Sequence, residues 1–207
     1  MGLINLLFRD PFAFILISIP LLYSIIFHEM AHGWVAYRFG DPTAKSMGRL
    51  TLNPLKHLDP IGTLLLFIVG FGWAKPVPVN FNQLRDKRLG MLLVSAAGIV
   101  TNILIAFCAL FISHLIGPSL SGLTSLILSY VAQINIILAA FNLIPFPPLD
   151  GSKILLAFAS QKVRQVMFRI EPFGLLILLG LLYLHVLDPV IFFFRWMILS
   201  VINLILP

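Results

Sequence analysis

Charge is scarce in this chain. Of 207 residues only 11% are Asp, Glu, Lys or Arg, against about 25% in a soluble domain. With 59% hydrophobic residues and a mean hydropathy of +1.01, that shortage excludes an ordinary soluble enzyme. It points to one compact, all-α, polytopic membrane domain. Acid is scarcer still, because only Glu29 and Glu171 are glutamates. The single cysteine, Cys108, lies in an apolar run and excludes an intrachain disulfide. No basic segment opens the chain, and Arg9-Asp10 offers no small-residue cleavage site. A removable signal peptide is therefore not expected. Gly2 is followed by Leu3-Ile4-Asn5-Leu6, without the Ser or Thr of a myristoylation signal. The net charge of +6 sits in a few loops, where it reads as membrane topology and not as nucleic-acid affinity.

Against that background one polar stretch stands out. His28-Glu29-Met30-Ala31-His32 lies inside an apolar run from about Pro11 to Phe39. On a helix, positions i and i+4 share a face, so His28 and His32 can grip one zinc ion together. Glu29 is then placed to act as general base on a water at the metal. Chance would produce this pattern in about one chain in a thousand of such composition, although a motif match alone stays a hypothesis. The plain alternative is two core histidines and a glutamate facing a neighbouring helix. An ionisable cluster within a membrane segment argues for function instead.

Spanning helices need about 20 apolar residues. The sequence predicts five, over about 12–39, 89–116, 123–144, 173–187 and 190–206. Gly117-Pro118 ends the second, and Pro145-Phe146-Pro147-Pro148 breaks the third. A short interfacial helix is expected from Ser152 to about Ser160. The stretch Ile61–Val79 is too short and too interrupted to span, with Gly70, Gly72, Pro76 and Pro78. It reads as a re-entrant loop or β-hairpin beside the motif, since irregular backbone at membrane depth needs protein or a water-filled cavity around it. An ordinary interfacial loop is the alternative. Arg38, Lys45, Arg49 and Lys56 follow the first helix, Arg85, Lys87 and Arg88 precede the second, and Lys153, Lys162, Arg164 and Arg169 follow the third. The Gly117–Gly122 connection has no charge. By the positive-inside rule the basic loops are cytoplasmic. Residues 39–89 then hold no single crossing, and His28 lies roughly 15 Å below that surface at 1.5 Å per residue.

A catalytic zinc commonly takes three protein ligands and leaves a fourth position for water. Most of the few acids sit in charged loops. Asp150 instead follows the Pro-broken third helix, where a bend can aim a carboxylate at a metal held by another helix. Local grammar equally allows Asp150 to be the N-cap of the helix near Ser152.

His28-Glu29-x-x-His32 followed by Asn142-x-x-Pro145-x-Pro147-x-Leu149-Asp150-Gly151 resembles the site-2 protease family of intramembrane zinc metalloproteases. Asn53–Thr63, Gly72–Asn80 and Ala97-Gly98-Ile99-Val100-Thr101-Asn102 are similar to its short prokaryotic branch, which lacks a PDZ domain. The resemblance covers about residues 20–160. It implies a three-helix catalytic core within about 12–160, with accessory helices over 170–207. It implies that His28, His32 and Asp150 bind one Zn²⁺, that Glu29 is the catalytic base, and that membrane-embedded peptide bonds are cut. The expected setting is a bacterial or archaeal plasma membrane, with transmembrane proteins as substrates and the site opening toward the cytoplasm.

Three further residues are candidates. Asn142 can donate to the oxyanion or to a substrate strand, Asn102 can support the site, and interhelical hydrogen bonding is the plainer role for both. His57, in a basic proline-flanked loop, is a possible gate or supporting residue, with a solvated loop histidine as the readier reading. Gln133 and Asn135 read as glue between helices. Strand addition along Gly72–Asn80 is one way to hold an unwound substrate. Two other functions compete: a catalytically silent membrane-binding module of the same fold, and a metal transporter. The intact Glu29 argues against the first. The absence of repeated halves argues against the second.

Overall fold

The computed structural model describes residues 3–70, 72–117 and 122–206. Ten α-helices are present among them: α1 (Leu3–Arg9), α2 (Pro11–Arg38), α3 (Thr43–Ser46), α4 (Pro60–Val69), α5 (Lys87–Ile116), α6 (Gly122–Asn142), α7 (Asp150–Phe158), α8 (Gln161–Ile170), α9 (Gly174–Tyr183) and α10 (Asp188–Ile205). Five stretches are long and apolar enough to cross a membrane: α2, α5, α6, residues 161–183 and α10. The protein is an all-α polytopic membrane protein. Pro118, expected to end the second helix, lies outside the described residues.

The helix starts are written in local chemistry. Asp10 caps α2 through Ala13 N–H at 2.9 Å, with Pro11 in the first turn. Asp59 caps α4 through Gly62 N–H at 2.8 Å, with Pro60 next. Asp86 caps α5, accepting from Arg88 and Leu89 N–H. Each side chain satisfies N–H groups that the helix leaves unpaired.

α5 is the centre of the bundle and packs against both α2 and α6, which also touch each other. Small buried residues, Ala106 on α5 and Ala139 and Ala140 on α6, let the backbones approach. Ile99, Ile136, Ile198 and Ile202 complete a core that carries α10 against α6. Around Ile144 and Leu149, Leu178 and Leu187 cover the Pro-broken segment after α6.

Three expectations change. The segment between α2 and α5 holds no strand among its described residues. It contains α4 and an extended run fastened by one antiparallel bridge, Leu58 with Ala74. The repeated prolines deny it the N–H groups that a second ladder would need. α4 has ten residues, about 15 Å at 1.5 Å per residue, half of what a crossing requires. The fourth spanning stretch begins at Gln161, not Phe173. Lys162, Arg164 and Arg169 make α8 amphipathic and hid it from a reading based on apolar runs. α1, a short helix before the motif helix, was not expected.

Candidate metal centre

His28 and His32 sit one turn apart on α2, both buried. Asp150 meets them from the first turn of α7, 122 residues beyond His28. Its Oδ2 lies 3.0 Å from Nε2 of His28 and 3.0 Å from Nε2 of His32. The N-cap position of α7 belongs to Leu149, with no side-chain cap bond. Asp150 is therefore not the cap that local grammar allowed, and its carboxylate faces the histidines.

The other ring nitrogens fix what the first two can do. His32 Nδ1 lies 2.7 Å from the Val94 carbonyl, which can only accept. That places a proton on Nδ1 and leaves a lone pair on Nε2. His28 Nδ1 meets Asn102 Oδ1. The Asn102 amide is oriented by its own donor, which serves Asn135 Oδ1 at 2.7 Å. Asn135 Nδ2 in turn donates to Ser24 Oγ and to the Val131 carbonyl, each at 2.8 Å. A buried chain of amides thus presents Nε2 of His28 as a bare lone pair too. Two imidazole lone pairs and a carboxylate oxygen then face one another, and only a cation, proton or metal, reconciles them.

The space fits the metal. The three ligand atoms lie within 4.8 Å of one another. Gly98 on α5 forms the wall: a Cβ there would lie 2.5 Å from His28 Cε1 and 2.6 Å from each Nε2. Two nitrogens and one oxygen suit zinc with an open fourth position. Asp150 is itself buried, 7% exposed. Its second oxygen, Oδ1, lies 3.6 Å from Lys153 Nζ.

Glu29 lies beside the histidines, half-buried. Its Oε2 accepts from Val77 N–H at 2.7 Å. The extended run therefore reaches the motif, and several bonds keep it there. Lys75 N–H donates to the His57 carbonyl at 2.8 Å, and buried Arg49 donates to the Lys75 carbonyl at 2.7 Å. Asp41, also buried, accepts from Asn80 N–H and from Thr43. In the sequence Arg49 is one basic residue of the loop after the first helix, and Asp41 is one of the loop acids. Neither had a sequence signal that marked it as a clamp.

The other candidates fall as follows. Asn102 supports His28 from behind and has no open face, being fully buried. Asn142 donates to the Leu138 carbonyl of its own helix at 3.0 Å. His57 is not solvated: it is 1% exposed, and its Nε2 meets the Thr51 carbonyl at 2.8 Å. Asn135 and Ser24, distant in sequence, join the amide chain behind the histidines.

Known proteins resemble the chain in sequence. The sequence pattern of Peptidase family M50 matches residues 117–184, which include Asp150 but not the His-Glu-x-x-His segment. "Putative zinc metalloprotease YwhC" of Bacillus subtilis (strain 168) is 44% identical over 171 residues, covering 79% of this chain and 78% of that protein. "Putative zinc metalloprotease Rip2" of Mycolicibacterium smegmatis is 29% identical over 177 residues, covering 82% of this chain and 67% of that protein. Rip2 of Mycobacterium tuberculosis H37Rv is 27% identical over 172 residues, covering 81% and 66%. No solved structure matches the chain.

Proposed function

The chain belongs to peptidase family M50, and from that premise we propose that this zinc metalloprotease cuts peptide bonds within or next to the membrane-spanning segments of other proteins. One observation carries the reading. Two imidazole lone pairs on a helix apolar enough to span a bilayer meet a carboxylate oxygen from a distant helix, with Glu29 beside them. The catalytic core is residues about 12–160, and the helices beyond about 170 are accessory.

His28, His32 and Asp150 hold the zinc, which supplies the Lewis acidity that activates water and polarises the scissile carbonyl. Glu29 takes the proton from the attacking water and returns it to the leaving amine nitrogen. Val77 N–H fixes Oε2 of Glu29, so Oε1 is the oxygen free to carry that proton. Asn102 keeps His28 turned toward the metal, and Val94 does the same for His32. The basic residues flanking α2 and α5 support a site that opens toward the cytoplasmic face.

The test is cleavage of a model single-pass substrate by protein in detergent micelles. Glu29→Gln should abolish cleavage and keep one zinc per chain. Normal cleavage by Glu29→Gln would overturn the mechanism. Zinc binding without cleavage of any substrate in a broad panel would favour the silent module.

A further inference from the structure

A cavity of about 540 Å³ lies on the far side of Glu29 from the end of α2. That volume is within the roughly 300–1,000 Å³ of pockets that bury a drug-sized ligand. One wall is α2, through Ser18, Leu22 and Ile25. At 100° per residue these fall on the stripe that ends in Glu29, and Ile25 precedes Glu29 by one turn. The facing wall is α4 with the run after it, through Leu66 and Trp73. Four residues past Trp73, Val77 binds Glu29. Both walls therefore lead to the catalytic carboxylate. Ile137 of α6 closes the third side.

The facing wall is closely packed. A Cβ on Gly62 would collide with the Trp73 carbonyl, and one on Gly72 with the Gly62 carbonyl. Backbone thus packs directly on backbone between α4 and the run. The lining is almost wholly apolar, but Ser18 Oγ and His57 Nδ1 are buried without a hydrogen-bond partner. Because His57 Nε2 donates to the Thr51 carbonyl, Nδ1 is an acceptor with no donor. Both atoms are enclosed behind the lining, so the surface the cavity offers is apolar, which suits an apolar side chain of a peptide held at the adjoining Glu29.

We propose that this cavity is a substrate subsite that receives large apolar side chains next to the scissile bond. The proposal rests on the proteolytic reading above. From Ser18 to Ile25 the wall runs about 10 Å at 1.5 Å per residue, the length of about three extended residues at 3.3 Å each. Selectivity by fit in an apolar pocket is worth about 10- to 200-fold per methylene.

The experiment uses the full chain in detergent, with transmembrane substrates carrying Ala, Leu or Phe at each of three positions on either side of the cut. Wild type should favour Leu and Phe over Ala at one or more of these positions. Leu22→Trp, which fills the cavity, should lower kcat/KM for the large residues at least tenfold more than for Ala. Ile137→Ala, which enlarges it, should shift preference toward Phe. Parallel changes across the series, with zinc retained, would overturn the subsite. A second measurement needs no turnover. With Glu29→Gln and Cys108→Ala in place, Leu22→Cys should form a disulfide with a cysteine placed at the preferred substrate position and not elsewhere. Failure of that cross-link overturns the subsite. Cross-linking without wild-type cleavage strikes at the proteolytic reading alone.

Discussion

At the scale of the residue, the site is as much a matter of proton placement as of ligand count. His28 and His32 serve a metal only if their protons sit on Nδ1, and each finds an acceptor there. Asn102→Ala removes one of those acceptors and leaves His28 free to change tautomer. Zinc affinity, measured by competition with a chelator, should fall about 10- to 100-fold, with the helices intact by circular dichroism. Gly98→Ala acts from the other side. Its Cβ would occupy the volume beside both Nε2 atoms, so zinc content should drop well below one per chain. Of this, the His28–His32 pair was legible in the sequence because i and i+4 share a helix face. Asn102 is a candidate for site support in the sequence, but its partner is not legible there, because nothing local distinguishes an amide that holds an imidazole from one that glues two helices.

At the scale of the element, residues 72–80 decide how Glu29 is presented. This run has one bridge, two prolines and no ladder, so side chains from elsewhere keep it in place. Arg49→Met deletes the donor to the Lys75 carbonyl while keeping an apolar stem. Hydrogen exchange at Val77 should quicken and cleavage should fall, with zinc content unchanged. Equal exchange in variant and wild type would refute the clamp. Gly72→Ala should act more strongly, since its Cβ meets the Gly62 carbonyl and the backbone of α4. Loss of thermal stability of about 1–3 kcal/mol is expected from such overpacking, read as a lower melting temperature. The interruption of this stretch by Gly and Pro was visible in the sequence. Its identity as helix plus pinned run was not, because the pins are Arg49, Asp41 and His57, residues that look ordinary in any loop.

At the scale of the whole molecule, the proposed orientation rests on five spanning stretches and the uneven basic residues. In a Cys108→Ala background, Lys45→Cys and Lys162→Cys should resist a membrane-impermeant maleimide added to intact cells. Both should react once the membrane is opened. Labelling of either in intact cells would invert the proposed topology and move the site's opening to the other face. The sequence by itself determined composition, four of the five spans and a pair of histidines one helical turn apart. All of these depend on neighbours a few residues apart. Only the tertiary structure decided that Asp150 turns to the histidines instead of capping α7. Only it brought Asn102, Asn135 and Ser24 behind His28, and laid Val77 on Glu29. Those contacts join residues 33 to 122 positions apart, and their partners are fixed by how α2, α5, α6 and α7 pack, a property of no single segment.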